Sequence, residues 1–100
     1  MNKGMNMFDF NDGNDGAGTV PAHQHPNGGG WVAETAYVAE TAYVGPNAKV
    51  YRDAKVFDNA WVAGNAKVYG DAEVSGNATV SGNAKVFDNA KVSGNATVSG

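Results

Sequence analysis

A six-residue period runs through most of the chain. Val recurs at every sixth position from Val32 to Val98, and Ala recurs at every sixth position from Ala36 to Ala96. A short period held over this length is typical of a solenoid, in which each repeat contacts only its neighbours. The Ala-x-Val triplet puts both apolar side chains on one face of a short extended segment, whereas the i, i+3, i+4, i+7 pattern of an amphipathic helix is missing. The sequence therefore predicts strands and turns in alternation.

The corners of the solenoid are predicted at the two residues before each Ala. These pairs are rich in Gly, Asn and Asp, as in Gly64-Asn65 and Asp58-Asn59. Such residues accept the left-handed backbone conformation that tight corners need. The chain has neither Leu nor Ile, so its interior must consist of Val and Ala. We expect a thin core that is continuous along the solenoid axis.

Composition argues against several classes of protein. The net charge is −3, and acidic and basic side chains nearly balance within the repeats, so we expect neither nucleic acid nor a membrane as a partner. The sequence has no apolar run long enough to span a bilayer, and residues 1–10 are not expected to act as a signal peptide. The absence of Cys excludes disulfides and thiolate metal sites.

Residues 1–30 differ from the repeats. They are rich in Gly and Asn, lack the hexapeptide, and predict an irregular N-terminal arm beside a repeat domain of residues 31–100. An apolar cluster of Met5, Met7, Phe8 and Phe10 indicates that the arm rests on another surface. That surface is either its own solenoid or that of a neighbouring copy.

The repeats resemble the hexapeptide-repeat family, whose units carry an aliphatic residue, often a following Gly, and a small residue four places after the aliphatic one. The segment from Val44 to Ala48 fits this pattern, and the resemblance covers residues 31–100. Together with the Gly triplet at 28–30, the repeats also look like small hexapeptide proteins of phages and prophages. The resemblance implies an all-β fold, a left-handed parallel β-helix of about four triangular coils. It also favours an extracellular or virion-associated location.

Coils of eighteen residues would stack each side chain on the one eighteen positions later. Like charges stacked in this way repel, and exposed aromatic rings leave apolar area in water, so such columns favour a covered surface. The alternative is a solvated aromatic ladder shielded by Lys stems. On the first face the two predicted columns are Trp31, Lys49, Lys67, Lys85 and Ala33, Tyr51, Tyr69, Phe87.

Some members of the hexapeptide-repeat family are enzymes, and their catalytic residues can be compared with this sequence. The family's acyltransferases use a His near a subunit interface and a loop between coils, and its γ-type carbonic anhydrases hold zinc on three His. This chain has neither a His nor an insertion within its repeats. We therefore expect no enzymatic activity, no catalytic residue and no cofactor, with an acyltransferase remnant as the least favoured alternative. His23 and His25 lie in the arm, where a polar segment is a better interpretation than a zinc site.

Other polar patterns also have plain explanations. The acidic residues beside one corner, from Glu34 to Asp88, suit the turns themselves, so calcium is not predicted. The segment 11–16 lacks the ligand pattern of a calcium loop. A hydroxyl patch on the third face resembles those of ice-binding β-helices but covers only two coils; its members are Thr79, Ser81, Thr97 and Ser99.

The ends of the solenoid indicate its function. A β-helix has unpaired strand edges at its ends, and these repeats run to residue 100 without an amphipathic cap. We therefore predict a non-enzymatic structural protein that self-assembles end to end into a fibre, with the N-terminal arm bridging subunits. The alternative is a compact homotrimer that holds a small molecule or a host protein between subunits. The predicted subunit interface consists of Phe8, Phe10, Trp31, Lys49, Tyr51, Lys67, Tyr69, Lys85, Phe87 and Val98.

Overall fold

Two N-terminal strands precede twelve strands of two or three residues each. The computed structural model describes residues 7–9 and 19–99, with side chains from residue 21 onward. No helix occurs in these residues. The strands are β1 (Met7–Asp9), β2 (Thr19–Gln24), β3 (Trp31–Ala33), β4 (Tyr37–Val38), β5 (Tyr43–Val44), β6 (Lys49–Val50), β7 (Lys55–Val56), β8 (Trp61–Val62), β9 (Lys67–Val68), β10 (Glu73–Val74), β11 (Thr79–Val80), β12 (Lys85–Val86), β13 (Lys91–Val92) and β14 (Thr97–Val98).

The twelve short strands form three parallel sheets, which are the three faces of the solenoid. The first face is β3-β6-β9-β12, the second is β4-β7-β10-β13, and the third is β5-β8-β11-β14. Each strand pairs with the strand eighteen residues later, so that Lys49 lies opposite Lys67 and Thr79 lies opposite Thr97. The predicted all-β fold, a parallel solenoid of four coils, is confirmed. The left-handed winding stays a prediction from the family resemblance.

Val and Ala side chains fill the interior, as predicted. Eight Val side chains between Val32 and Val80 are fully buried, and Ala from Ala42 to Ala78 pack between them. Burying a Val side chain contributes about 1.5–3 kcal/mol, so this column supplies most of the driving force for folding. Burial weakens toward the last coil, where Val98 is only partly covered. The fourth coil is therefore the least stabilised part of the solenoid.

The corners lie where the sequence predicts them, and they are of two kinds. From residue 52 onward, the first residue of each pair has a positive φ, including Arg52 at 61° and Asp58 at 60°. The amide of the following Ala closes the turn, as from Ala66 to Ala63 at 3.2 Å. A positive φ at the first central position, with none at the second, is typical of a type II′ turn. The left-handed residue is thus the first of each pair and not the Asn or Asp that follows.

The three corners of the first coil have no positive φ among their central residues, which fits type I turns. Pro46 occupies the first central position of the third corner, where its fixed negative φ suits a type I turn. In the other two corners, the hydroxyls of Thr35 and Thr41 donate to the carbonyls of Arg52 and Asp58, each at 2.5 Å. In later coils, the backbone amide of the second corner residue makes this link to the next coil, as from Asn65 N to Gly82 O at 2.8 Å. In these two corners of the first coil, the Thr hydroxyl makes the link in its place.

Two strands, β1 and β2, make up much of the described part of the N-terminal arm. Strand β2 pairs antiparallel with β3, bringing Ala22 opposite Ala33, and β1 pairs antiparallel with β2. The arm therefore extends the first face by two strands, and the expectation of an irregular arm is wrong for these residues. That expectation rests on composition, which does not report the long-range strand pairing that orders β2. The division into an arm of residues 1–30 and a repeat domain of residues 31–100 stays a prediction.

Candidate functional site

The outer edge of the fourth coil carries a row of backbone amides. In the coil below, Glu73, Ser75 and Asn77 donate their N–H groups to carbonyls of the fourth coil at 2.8–3.0 Å. The equivalent donors of the fourth coil meet no acceptor among the residues that the structure describes. On the second face they belong to Lys91, Ser93 and Asn95. We call this surface the open edge, and it spans all three faces.

The opposite end of the solenoid is largely covered by residues 19–30, which we call the N-terminal cap. On the first face, β2 pairs with β3. On the third face, Gly30 N donates to Val44 O at 2.9 Å and Val44 N donates to Asn27 O at 3.1 Å. On the second face, β4 is the last strand of its sheet in the described part of the chain. Within the described residues the two ends therefore differ, because the cap pairs strand edges on the first and third faces of one end, whereas the outward amides of the open edge meet no acceptor.

Two glycines let the cap lie close to the third face. A Cβ atom on Gly30 would collide with the Gly45 carbonyl oxygen and with Val44 Cγ1, and one on Gly28 would collide with the Val44 carbonyl oxygen. The interior is close-packed here and leaves no room for these atoms, so side chains are excluded at both positions. Two glycines of the triplet at 28–30 thus allow the cap to pack against the third face.

Both histidines hold the cap in place. His25 is 3% exposed, and its Nε2 lies 2.8 Å from the Ala42 carbonyl oxygen. His23 Nδ1 lies 2.8 Å from a carboxylate oxygen of Glu34, with both side chains nearly half exposed. Within the described residues, no group of three or more His, Cys, Asp or Glu is placed to hold a metal. Sequence reasoning missed the structural role of His25, because nothing in its local pattern indicates the carbonyl seventeen residues away.

The first face carries the predicted aromatic column. Tyr51 and Tyr69 stack with centroids 4.9 Å apart and planes at 4°, and Phe87 continues the stack at 5.4 Å and 12°. The expectation of an exposed stripe is wrong for Tyr51, which is 4% exposed and packs with Ala22 of the cap. Exposure rises to 44% at Phe87. The apolar surface thus increases toward the open edge.

A groove runs beside this column along the solenoid axis. Its volume is ≈ 470 Å³, and its walls are two columns of hydrogen-bond donors that repeat from coil to coil. Asn65 Nδ2 donates to Asn83 Oδ1 at 3.4 Å within one of these columns. The lining residues are Asn47, Lys49, Asn65, Lys67, Asn83 and Lys85. We call this the Lys-Asn groove.

The remaining predicted interface residues lie in different places. Trp31 is partly buried against the cluster around Tyr51, close to the cap. Val98 lies in the last coil, next to the open edge. Phe8 is in β1, and Phe10 falls outside the described residues. The structure thus brings Tyr69, Lys67, Lys85 and Phe87 together on one face, and places Val98 on another.

Aromatic side chains on the other two faces also stack between coils. Tyr43 and Trp61 lie 4.1 Å apart on the third face, and Tyr37 and Phe57 lie 5.6 Å apart on the second. Tyr37 and Trp61 remain about half exposed. Above Trp61, the register places Thr79 and Thr97 in one column. The predicted hydroxyl patch is therefore confined to the third and fourth coils, next to these aromatic rings.

These features define a β-solenoid repeat protein. Residues 72–86 match a family described as YdcK Beta solenoid repeat. No curated protein and no solved structure matches the chain. None of the described residues form a helix long and apolar enough to cross a membrane.

Proposed function

We propose that this chain is a non-enzymatic structural protein that self-assembles through the open edge of its fourth coil. The observation that carries the proposal is the row of amides at that edge that meet no acceptor among the described residues, including those of Lys91, Ser93 and Asn95. The equivalent amides of the third coil donate to carbonyls of the fourth coil. A strand edge of this kind is a template for another strand. A second copy of the chain is the partner whose backbone repeats in the same register.

Stacking of copies is directional. Outside the strand ladders, amides of a lower coil donate to carbonyls of the coil above, as from Tyr37 to Ala54 at 3.0 Å. The open edge is therefore rich in donors and calls for acceptors. In one copy, carbonyls at the N-terminal end are covered by the cap on the first and third faces, as at Ala42 and Val44. Growth into a fibre thus requires the cap to leave its own edge and bridge to the neighbouring subunit.

A single substitution at the open edge tests this proposal. Ser93→Pro removes an amide that has no acceptor within the described part of the chain, and Val92 before it is already extended, as a residue before proline prefers. Light scattering at micromolar concentration should show assemblies for the unmodified protein and a smaller mass for Ser93→Pro. Ser93→Ala keeps the amide and is the matched control. Electron microscopy then shows whether the assemblies are filaments.

Two results would contradict the proposal. One is a monomeric mass for the unmodified chain under these conditions. The other is equal assembly of Ser93→Pro and Ser93→Ala, with both variants showing the same thermal unfolding. The second result would mean that copies associate through a different surface.

The first face supports a second candidate, a compact homotrimer that binds its ligand between subunits. Tyr69 is partly buried and Phe87 is exposed, so the upper half of the aromatic column leaves apolar area for lateral packing. This arrangement predicts a defined trimer that does not grow with concentration. Tyr69→Glu should dissociate the trimer, whereas Ser93→Pro should leave it intact. The two substitutions together separate lateral from end-to-end association.

A further inference from the structure

We propose that the Lys-Asn groove binds a linear polyphosphate chain lying parallel to the solenoid axis. The groove is lined by Asn and Lys side chains, each repeated on three successive coils. At a strand spacing of about 4.8 Å, the three Lys positions span about 10 Å. A row of cations with this spacing calls for a ligand with several negative charges in a line.

Two lysines of this face, Lys67 and Lys85, have no acidic partner among the residues that the structure describes. The Lys column of the second face differs, because Glu73 lies between Lys55 and Lys91 and comes within 3.8 Å of Lys91. Like charges directly opposite each other on neighbouring strands destabilise a sheet. The first face therefore bears a repulsion that the second face avoids, and a bound anion would relieve it.

The donors of the groove are suited to phosphoryl oxygens. Lys offers three rotatable N–H donors around a point charge and is a common phosphate-binding residue. The guanidinium fork of Arg binds one carboxylate or phosphate bidentately, whereas the groove is lined by Lys67, Lys85 and amides but by no Arg, so its cations act as separate point charges in a row. Asn side chains add neutral donors opposite the Lys column. The chemistry favours a chain of phosphoryl groups.

The neighbouring aromatic column argues against nucleic acid as the ligand. Proteins that bind single strands stack bases on exposed ring faces. Here Tyr51, Tyr69 and Phe87 stack on one another, with planes within 12° between neighbours. Apart from the outer face of Phe87, which is 44% exposed, their faces are therefore occupied by the rings themselves. The groove offers contacts to phosphoryl groups and none of this kind to a base.

Calorimetric titration with sodium tripolyphosphate at about 50 mM salt tests the proposal. The Ser93→Pro chain is titrated alongside the unmodified one, so that ligand binding is measured whether or not the protein assembles. We expect Lys67→Gln to lower the affinity at least tenfold and Lys85→Gln to lower it several-fold. Lys91→Gln, on the second face, is the matched control and should leave affinity unchanged. Raising the salt to about 300 mM should weaken binding at least tenfold, because screening shortens the range of the Lys charges.

Thermal unfolding distinguishes loss of the binding site from a general loss of stability in the Lys67→Gln variant. Without ligand, Lys67→Gln should raise the melting temperature, since it removes the repulsion between stacked lysines. With tripolyphosphate, the unmodified chain should gain thermal stability and Lys67→Gln should not. Equal tripolyphosphate affinity of Lys67→Gln and Lys91→Gln would overturn the proposal. So would equal affinity for citrate, or much tighter binding of ATP or single-stranded RNA than of tripolyphosphate.

Discussion

The imidazole Nε2 atom of His25 lies 2.8 Å from the carbonyl oxygen of Ala42. A carbonyl oxygen only accepts, so Nε2 carries the proton and donates. Asn27 Nδ2 donates to the same oxygen at 3.1 Å. The bond joins the N-terminal cap to the lower edge of the third face, and His25 is buried where it does so. An acceptor at the end of the solenoid is thereby paired within the chain.

The first prediction concerns this bond. His25→Ala should lower the free energy of unfolding by about 2 kcal/mol, because it removes a buried donor and leaves a cavity. His23→Ala is the control, since its exposed pair with Glu34 is worth at most about 1 kcal/mol. Urea denaturation measures both. Amide exchange should speed up at Gly30 and Val44 in His25→Ala only; similar effects of the two substitutions would contradict the role given to His25.

The hexapeptide predicts the solenoid well because its physics is local and repeated. An Ala-x-Val triplet and a turn pair, together with the coil of eighteen residues that the family resemblance implies, are enough to place Tyr69 against Phe87 from the sequence. The cap is different, because the pairing of Ala22 with Ala33 depends on contacts that no repeat encodes. The burial of Tyr51 follows from the cap, so it is unpredictable from the repeats for the same reason.

The second prediction concerns why glycine occupies the corners: either the positive φ requires it, or a side chain would crowd the next coil. Gly64 and Gly94 have nearly the same φ, 63° and 67°. A Cβ on Gly64 would lie 2.8 Å from Gly82 N, whereas one on Gly94 would meet no atom within 4 Å. Gly94→Ala should therefore cost about 1 kcal/mol for the left-handed backbone alone. Gly64→Ala should cost about 1–2 kcal/mol more, from crowding against the next coil.

Urea denaturation of these two variants at the same temperature provides the comparison. Equal losses of unfolding free energy would mean that backbone conformation alone selects glycine at the corners. The distance from Gly64 to the next coil would then have no energetic consequence.

The third prediction concerns the corners of the first coil. The Thr41 hydroxyl donates to Asp58 O and provides a link between coils at this corner. Thr41→Val keeps the shape of the side chain and removes the donor, so we expect a loss of about 1 kcal/mol in unfolding free energy. Thr41→Ser keeps the hydroxyl and should lose less. A larger loss for Ser than for Val would show that the Thr methyl group matters more than the bond.

The fourth prediction joins the cap to assembly and rests on the proposed function. Gly30→Ala places a Cβ where it would collide with Val44 Cγ1 and the Gly45 carbonyl oxygen, so the cap must move away from the third face. The acceptors of that edge then become available to the open edge of another copy. We expect Gly30→Ala to form longer assemblies than the unmodified chain, as measured by light scattering and electron microscopy.

Gly29→Ala is the control for that experiment, because the φ of 83° at Gly29 disfavours a side chain while nothing lies within 4 Å of the added atom. It should strain the cap without forcing it off the third face, and assembly should change little. Adding Ser93→Pro to Gly30→Ala should abolish the longer assemblies, since growth needs the donors of one copy and the acceptors of the next. Assemblies that persist in the double variant would show that a displaced cap promotes association by exposing apolar surface and not by freeing a strand edge.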